Sequence, residues 1–256
     1  MNEPLHITSR DNPLLVSLRK LAKDSTGYRR AGQVWLEGDH LCSALRLRGG
    51  VATQAVVTQQ AWDDPRLREL ASWAQRVVIV PPALFGTISA LESPAGLGFT
   101  MTLGEAPEID CDAATVVLDR VQDAGNVGSI LRSAAAFGFA QVLAVKGSAA
   151  LWSPKVLRAG MGAHFALRLI EGLDASALQA LKVPLLATSS HGGCLLPEAL
   201  LPRPCAWVMG HEGQGVSPDL LQRCALQVRI PQPGGEESLN VAAAAAVCLY
   251  ESARGQ

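Results

Sequence analysis

No stretch of this 256-residue sequence is both long enough and uncharged enough to span a membrane. The opening MNEPLHITSRDNP puts an acid and a proline where a secretory signal needs a basic start and an apolar middle. A cytoplasmic protein with no membrane partner is therefore expected. Cysteine is sparse: the six residues at 42, 111, 194, 205, 224 and 248 form no C-x-x-C pair and no zinc-like spacing. Neither a disulfide framework nor a metal site is indicated. A dominant charge is lacking too, since the formal net charge is −1, which argues against a uniformly basic coat for nucleic acid. Internal repeats are absent, and the alanine run at 242–246 is the nearest thing to a low-complexity tract.

What is present is the profile of a folded chain. Hydrophobic residues make up 48% and charged residues 18%, enough for a sizeable core in one large domain or two ordinary ones. The near-zero net charge hides an asymmetry. Residues 1–50 hold eight Lys/Arg against five Asp/Glu, and Arg19, Lys20, Lys23, Arg29 and Arg30 are candidates for phosphate contacts. Charge alone supports a solvated helix face equally well.

Two blocks of alternating elements follow. In the first, NPLLVSLRKLA has a helical apolar period, QVWLEG, QAVVTQ and RVVIVP read as strands, and RLRELASWA reads as a helix. Residues 103–113, LGEAPEIDCDA, are polar, carry Pro107 and show neither period, which predicts a linker between domains at 1–102 and 114–256. The second block restarts at TVVLD and continues through QVLAV, a helix near 153–161, PLLAT, CAWVMG and QVRIP. Buried-type strands alternating with helices predict an α/β fold with a mainly parallel sheet covered on both faces.

Within the second block, DAGNVGSILRSAAAFG (123–138) predicts a helix capped by Asn126. Val127, Ile130, Leu131, Ala134 and Ala135 then form one stripe facing the sheet. Arg132 lies off that stripe, free for solvent, a ligand or a partner chain. Further on, VMGHEGQGVSPDLL places Gly210, Gly213 and Gly215 directly after a strand, with Ser217 and Pro218 at the start of a helix. It has neither the Gly-Lys-Ser/Thr ending of a P-loop nor the G-x-G-x-x-G order of a dinucleotide turn, so a nucleotide-binding oxidoreductase is disfavoured. VRIPQPGGEESLNVAAAAAVCLYE runs from strand through a Pro/Gly loop into a helix that Ser238 or Asn240 can cap. Its alanines favour helix and leave a thin surface suited to close packing.

Taken in order, NVGSILR, GHEGQG and IPQPGGEESLNV resemble the three motifs of the SpoU/TrmH-family RNA 2′-O-methyltransferases, part of the SPOUT class, over about the last 150 residues. SPKVLRAGMGAHFALRL is similar to the family's segment between the first two motifs. ITSRDNPLLVSLRKL and WLEGDHLCSAL look like the ribosomal-protein-like α/β substrate-binding domain of its rRNA-modifying members. The resemblance implies a C-terminal domain threaded into a deep trefoil knot, S-adenosylmethionine as cofactor, and a homodimer whose subunits share each site. It implies Arg132, Asn126, Glu212, Ser238 and Asn240 as catalytic residues. It implies a cofactor site at Met209, Gly210, Glu212, Gly215, Ile230, Pro231, Ser238, Leu239 and Asn240, with no metal. The RNA substrate is expected to be large-subunit rRNA, bound through the basic N-terminal residues and Arg132. A tRNA target, or an RNA-binding or ribosome-assembly factor without methyl transfer, are the alternatives. Gln232 replaces the usual apolar residue after Ile-Pro, and Ala242 stands where serine is frequent. A guanidinium stays charged in ordinary settings, so Arg132 is expected to clamp phosphate and stabilise an incipient alkoxide rather than to remove a proton.

Overall fold

The computed structural model describes residues 3–189, 192–234 and 238–254. Contacts group the chain into two compact units, Met1–Glu105 with Trp152–Phe165, and Ala106–Leu151 with Ala166–Gln256.

The first unit runs β1 (Leu5–His6), α1 (Pro13–Lys23), α2 (Gly27–Ala31), β2 (Gln33–Glu37), α3 (Asp39–Leu47), β3 (Gln54–Thr58), α4 (Gln59–Asp63), α5 (Pro65–Ser72), β4 (Val77–Val80), α6 (Pro82–Ile88) and β5 (Leu97–Thr102). Its sheet has the order β1-β4-β3-β5-β2. β1 and β3 are parallel to β4, whereas β5 is antiparallel to both β2 and β3. Asn12 caps α1, accepting from the Leu14 N–H at 3.0 Å, and Pro13 sits at the first turn, where its missing donor costs nothing. Leu15, Leu18, Leu21 and Ala22 form the buried stripe of that helix.

The second unit opens with β6 (Thr115–Asp119), α7 (Ala124–Ala136) and β7 (Gln141–Val145). The chain then forms α8 (Pro154–Gly160), which groups with the first unit. It returns for β8 (Arg168–Leu173), β9 (Leu185–Thr188), β10 (Cys194–Leu195), β11 (Ala206–Gly210), α9 (Pro218–Arg223), β12 (Leu226–Arg229) and α10 (Val241–Ala253). The sheet order is β10-β12-β9-β11-β6-β7-β8, and every pairing is parallel. β6, β7 and β11 are buried at every residue, as central strands covered on both faces must be. One face packs Val117, Leu143, Ile170, Leu185 and Val208 into a single cluster. The alternate residues Val116, Leu118, Trp207 and Met209 point the other way, where Trp207 Nε1 donates to Ser252 Oγ on α10 at 2.8 Å.

Of residues 103–113, which the sequence predicts as a linker, 106–113 lie in the second unit. Asp110 N–H donates to Gln141 Oε1 at 3.1 Å and Gln141 Nε2 donates to the Asp110 carbonyl at 2.6 Å, while Lys182 N–H reaches the Cys111 carbonyl at 2.9 Å.

The cap of α7 is a correction. Asp123, not Asn126, occupies it, with its Oδ1 accepting from the Asn126 N–H at 2.8 Å. The two Asx residues stand one turn apart, and the earlier one takes the cap although this brings Gly125 into the helix. Val127, Ile130, Leu131 and Ala134 are buried as the stripe requires, with Ala135 half-buried at its margin.

Candidate active site

β6 and β11 are neighbours in register, with Leu118 beside Met209 and Asp119 beside Gly210. Their carboxyl ends therefore open at the same level, the usual place for a ligand in an open parallel sheet. The loop leaving β11 folds back on itself: His211 N–H donates to the Gly215 carbonyl at 3.0 Å and Gly215 N–H to the His211 carbonyl at 2.8 Å. His211 Nδ1 accepts from the Gly213 and Gln214 N–H groups at 3.0 and 3.3 Å, which puts the ring's own proton on Nε2. Glycine is required at 210, because a Cβ there would lie 2.2 Å from both Gly215 C and Val216 N. Gly215 has φ +68°, the left-handed region.

This loop walls a cavity of about 420 Å³, also lined by Thr188, Ile230, Gln232, Ser238, Leu239, Val241 and Ala244. Of the residues expected at a cofactor site, Gly210, Glu212, Gly215, Ile230, Ser238 and Leu239 line it; Met209, Pro231 and Asn240 do not. Met209 is buried in its strand. Gln232, the departure from the usual apolar residue, stands in the wall, and its Oε1 is buried without a partner among the described residues.

Beside the cavity, three residues from the three sequence segments are joined in one relay. Glu212 Oε1 accepts from the Asp123 N–H at 3.0 Å and from Asn126 Nδ2 at 3.1 Å, and Oε2 accepts from the Gln122 N–H at 3.2 Å. Asn126 Oδ1 accepts from Asn240 Nδ2 at 2.9 Å. Asn240 Oδ1 caps α10, accepting from the Ala242 and Ala243 N–H groups at 2.9 and 3.3 Å. The direction is fixed at both ends. An ionised carboxylate only accepts and a helix N-terminus only donates, so each amide between them has one satisfying orientation. Partial burial pushes the Glu212 carboxyl upward, but the Asp123 N–H, the Asn126 amide and the Gln122 N–H outweigh it and hold the group below the ordinary glutamate value.

Arg132 is elsewhere. It is exposed on α7, lines no part of the cavity and has no hydrogen-bond or ion-pair partner among the described residues. It follows Asn126 by six residues, which at 100° per residue sets the two about 120° apart around the helix.

Of the basic N-terminal residues, several have internal work. Arg19 donates to the Leu15 and Arg10 carbonyls, Arg30 pairs with Asp24 at 3.0 Å, and the Arg29 guanidinium lies 5.6 Å from the centre of the Tyr28 ring. Lys20 and Lys23, in the last turn of α1, are exposed.

Sequence reasoning missed Asp119 and Arg120. Asp119 is 2% exposed and accepts from the Ser217 N–H at 2.6 Å through Oδ2. Its signal was available as an acid closing an otherwise apolar strand. No group of three or more His, Cys, Asp or Glu that could hold a metal occurs among the described residues, and no described helix is long and apolar enough to cross a membrane.

Comparison with known proteins gives a consistent picture. The profile of the SpoU rRNA Methylase family matches residues 113–250. The chain is 33% identical to an uncharacterized tRNA/rRNA methyltransferase of Synechocystis, over 98% of this chain and 94% of that protein. It is 28% identical to a 23S rRNA (guanosine(2553)-2′-O)-methyltransferase of Bacillus subtilis, over 84% of this chain and 86% of the relative. Among solved structures it is similar to a TrmH-family protein from Porphyromonas gingivalis, with TM-score 0.84, 30% identity, and coverage of 96% and 99% of the two chains. It is also similar to an AdoMet-bound rRNA methyltransferase from Sinorhizobium meliloti, with TM-score 0.84, 25% identity, and coverage of 98% and 97%.

Proposed function

The chain belongs to the SpoU rRNA methylase family, and from that premise we propose that it methylates a ribose 2′-hydroxyl of RNA, with S-adenosylmethionine as donor and 23S rRNA as substrate. The observation that carries this reading is the relay Glu212–Asn126–Asn240, which ties the three motif segments together at the rim of the cavity. The cavity suits the cofactor. Its volume is that of a small-molecule site, Val216, Ile230, Leu239 and Val241 offer apolar walls, Thr188 and Ser238 offer hydroxyls, and Gly210 is part of the lining.

When bound, the cofactor supplies an electrophilic methyl group on a sulfonium. The chain's own residues then position the acceptor and stabilise charge. Glu212 holds the N-terminus of α7 and stays ionised, with both oxygens already committed to donors, so it is a pinning anion and a poor proton acceptor. Arg132 carries a permanent charge suited to the phosphate beside the target ribose and to the oxyanion developing on its 2′-oxygen.

Arg132 faces away from its own relay, which supports a site completed across a homodimer, with Arg132 of one subunit serving the cavity of its partner. The exposed stripe Ala243, Val247, Tyr250 and Arg254 on α10 is apolar in three of its four positions, and it is the surface we assign to that contact. We also assign the family's trefoil knot to the second unit. Supporting it, α10 follows β12, one strand from the sheet edge, yet packs against α7 and the central β11. RNA grip falls to the first unit, chiefly to Lys20 and Lys23.

The test maps ribose methylation in 23S rRNA and tRNA from cells with and without the gene, and compares Arg132→Ala with the wild type in single-turnover transfer. The variant is expected to bind cofactor normally and to transfer about 10² to 10³ times more slowly. Near-normal transfer overturns the role of Arg132. No lost methyl group favours a non-catalytic RNA-binding factor, and a lost tRNA methyl group moves the substrate to tRNA.

A further inference from the structure

Arg120 carries a backbone cost that its side chain must account for. It directly follows β6 with φ 61°, the left-handed region that glycine enters freely and an L-residue with a long side chain does not. A non-glycine residue held there is informative when its side chain makes contacts that glycine cannot. Arg120 makes three: Nε donates to Asp119 Oδ1 at 3.1 Å, one terminal nitrogen to Gln214 Oε1 at 2.9 Å, and the other to the Gly215 carbonyl at 3.5 Å. Room for its stem comes from Gly147, itself at φ +94°, where a Cβ would sit 3.2 Å from Arg120 Cγ.

These contacts converge on the cavity wall. Gly213, Gln214, Gly215 and Val216 form one side of the cavity, and two of the four are glycines, which lose more conformational freedom on ordering than any other residue. Asp119 anchors the far end of this stretch through the Ser217 N–H, and its second oxygen orients the Arg120 fork. With the Asp119 side chain 2% exposed and that of Arg120 31% exposed, the pair runs from the sheet interior to the wall. Lysine cannot replace it in full, because a single ammonium on a flexible stem lacks the rigid fork that spans Asp119, Gln214 and Gly215 together.

We propose that Arg120 is a positioning residue for the cofactor cavity: it orders the 213–216 wall in the free protein, so that the ligand does not have to. The inference rests on the reading of that cavity as the S-adenosylmethionine site. Preorganisation of this kind acts on affinity, since ordering completed before binding is not charged to the ligand.

The experiment compares the full-length wild type with Arg120→Gly and Arg120→Lys. S-adenosylmethionine affinity is measured by calorimetry, amide hydrogen exchange of residues 213–217 in the free protein, and thermal melting. Glycine removes the clamp and the left-handed cost together but leaves the buried Asp119 carboxylate without its cation, so the melting temperature is expected to fall, and affinity and local exchange are the readouts that decide. Affinity should fall about tenfold, the loss of a charge-assisted contact, and exchange at Gly215 to Ser217 should speed up. Lysine should restore part of the affinity. A residue of merely structural importance would lower the melting temperature and leave affinity and local exchange unchanged. Unchanged affinity and exchange in Arg120→Gly, with a wild type that binds, overturn the inference. A wild type that fails to bind S-adenosylmethionine overturns the reading of the cavity and this inference with it.

Discussion

Asn240 does two jobs with two ends of one amide, and a pair of substitutions separates them. Its Oδ1 caps α10 and its Nδ2 donates to Asn126. Asn240→Ala removes both. Loss of an Asn cap costs about 1 kcal/mol, and loss of a solvent-accessible hydrogen bond roughly 0.5 to 1 kcal/mol more. The sum of about 1.5 to 2 kcal/mol corresponds to roughly 3 to 8 °C in melting temperature for a unit of this size. Asn240→Asp keeps the cap and adds an anion at a helix N-terminus, which is favourable by about 0.3 to 1 kcal/mol. It then turns an acceptor toward Asn126 Oδ1. Asn126 can relieve that clash by flipping its amide, but the flip aims Oδ1 at the Glu212 carboxylate, so the mismatch moves along the relay instead of vanishing. Asn240→Asp should therefore melt near the wild type while losing methyl transfer comparably to Asn240→Ala. Circular dichroism melting and single-turnover methylation read the two quantities on the same preparations. Equal destabilisation by both variants, or full transfer in the aspartate variant, would refute the division between cap and relay.

Gly210→Ala should lower both melting temperature and cofactor affinity, by roughly 1 to 3 kcal/mol of overpacking, because its Cβ meets backbone 2.2 Å away rather than a side chain that can turn aside; a melting curve and a cofactor titration check it. The lowered pKa of Glu212 fixes a pH signature. Its stabilisation is complete above the ordinary glutamate value of 4.5 and is lost as pH falls through the depressed folded value. Urea unfolding of the wild type and of Glu212→Gln should thus differ at neutral pH and converge in acid, and a constant gap would contradict the sign. Replacing Lys20 and Lys23 together by glutamine should flatten the salt dependence of RNA binding by roughly 1.4 to 1.8 in the slope of log affinity against log salt, measured by filter binding at several salt concentrations.

The α/β class was legible because the strands of the second unit are buried on both faces and read as unbroken apolar runs such as TVVLD and QVLAV. β5, LGFTMT, escaped notice: it begins and ends among small and polar residues, and its pairing with β2 and β3 is antiparallel, which no local pattern announces. The cap of α7 was misplaced for a more instructive reason. Asp123 and Asn126 are both good caps, and local chemistry does not choose between them. The choice matters, since an Asn126 spent on its own helix would have no oxygen for Asn240. The partners of Glu212 lie 86 to 90 residues away in sequence, and such contacts exist only after the strands align Asp119 with Gly210. Arg132 was correctly read as off the core stripe, yet sequence could not tell that its side of the helix differs from that of the relay.

One feature of the chain path bears on how the protein is made. α8 is encoded between β7 and β8, well inside the second unit, yet it groups with the first, where Val156, Leu157 and Gly160 are buried and a Cβ at Gly162 would lie 2.4 Å from that of Ala44. A nascent chain emerging from the ribosome therefore cannot finish the first unit when residue 105 appears. It must wait for about sixty further residues, by which time β6, α7 and β7 are already outside. A gene cut at 105 would deprive one product of its last helix and leave the other carrying an apolar segment with nothing to cover it.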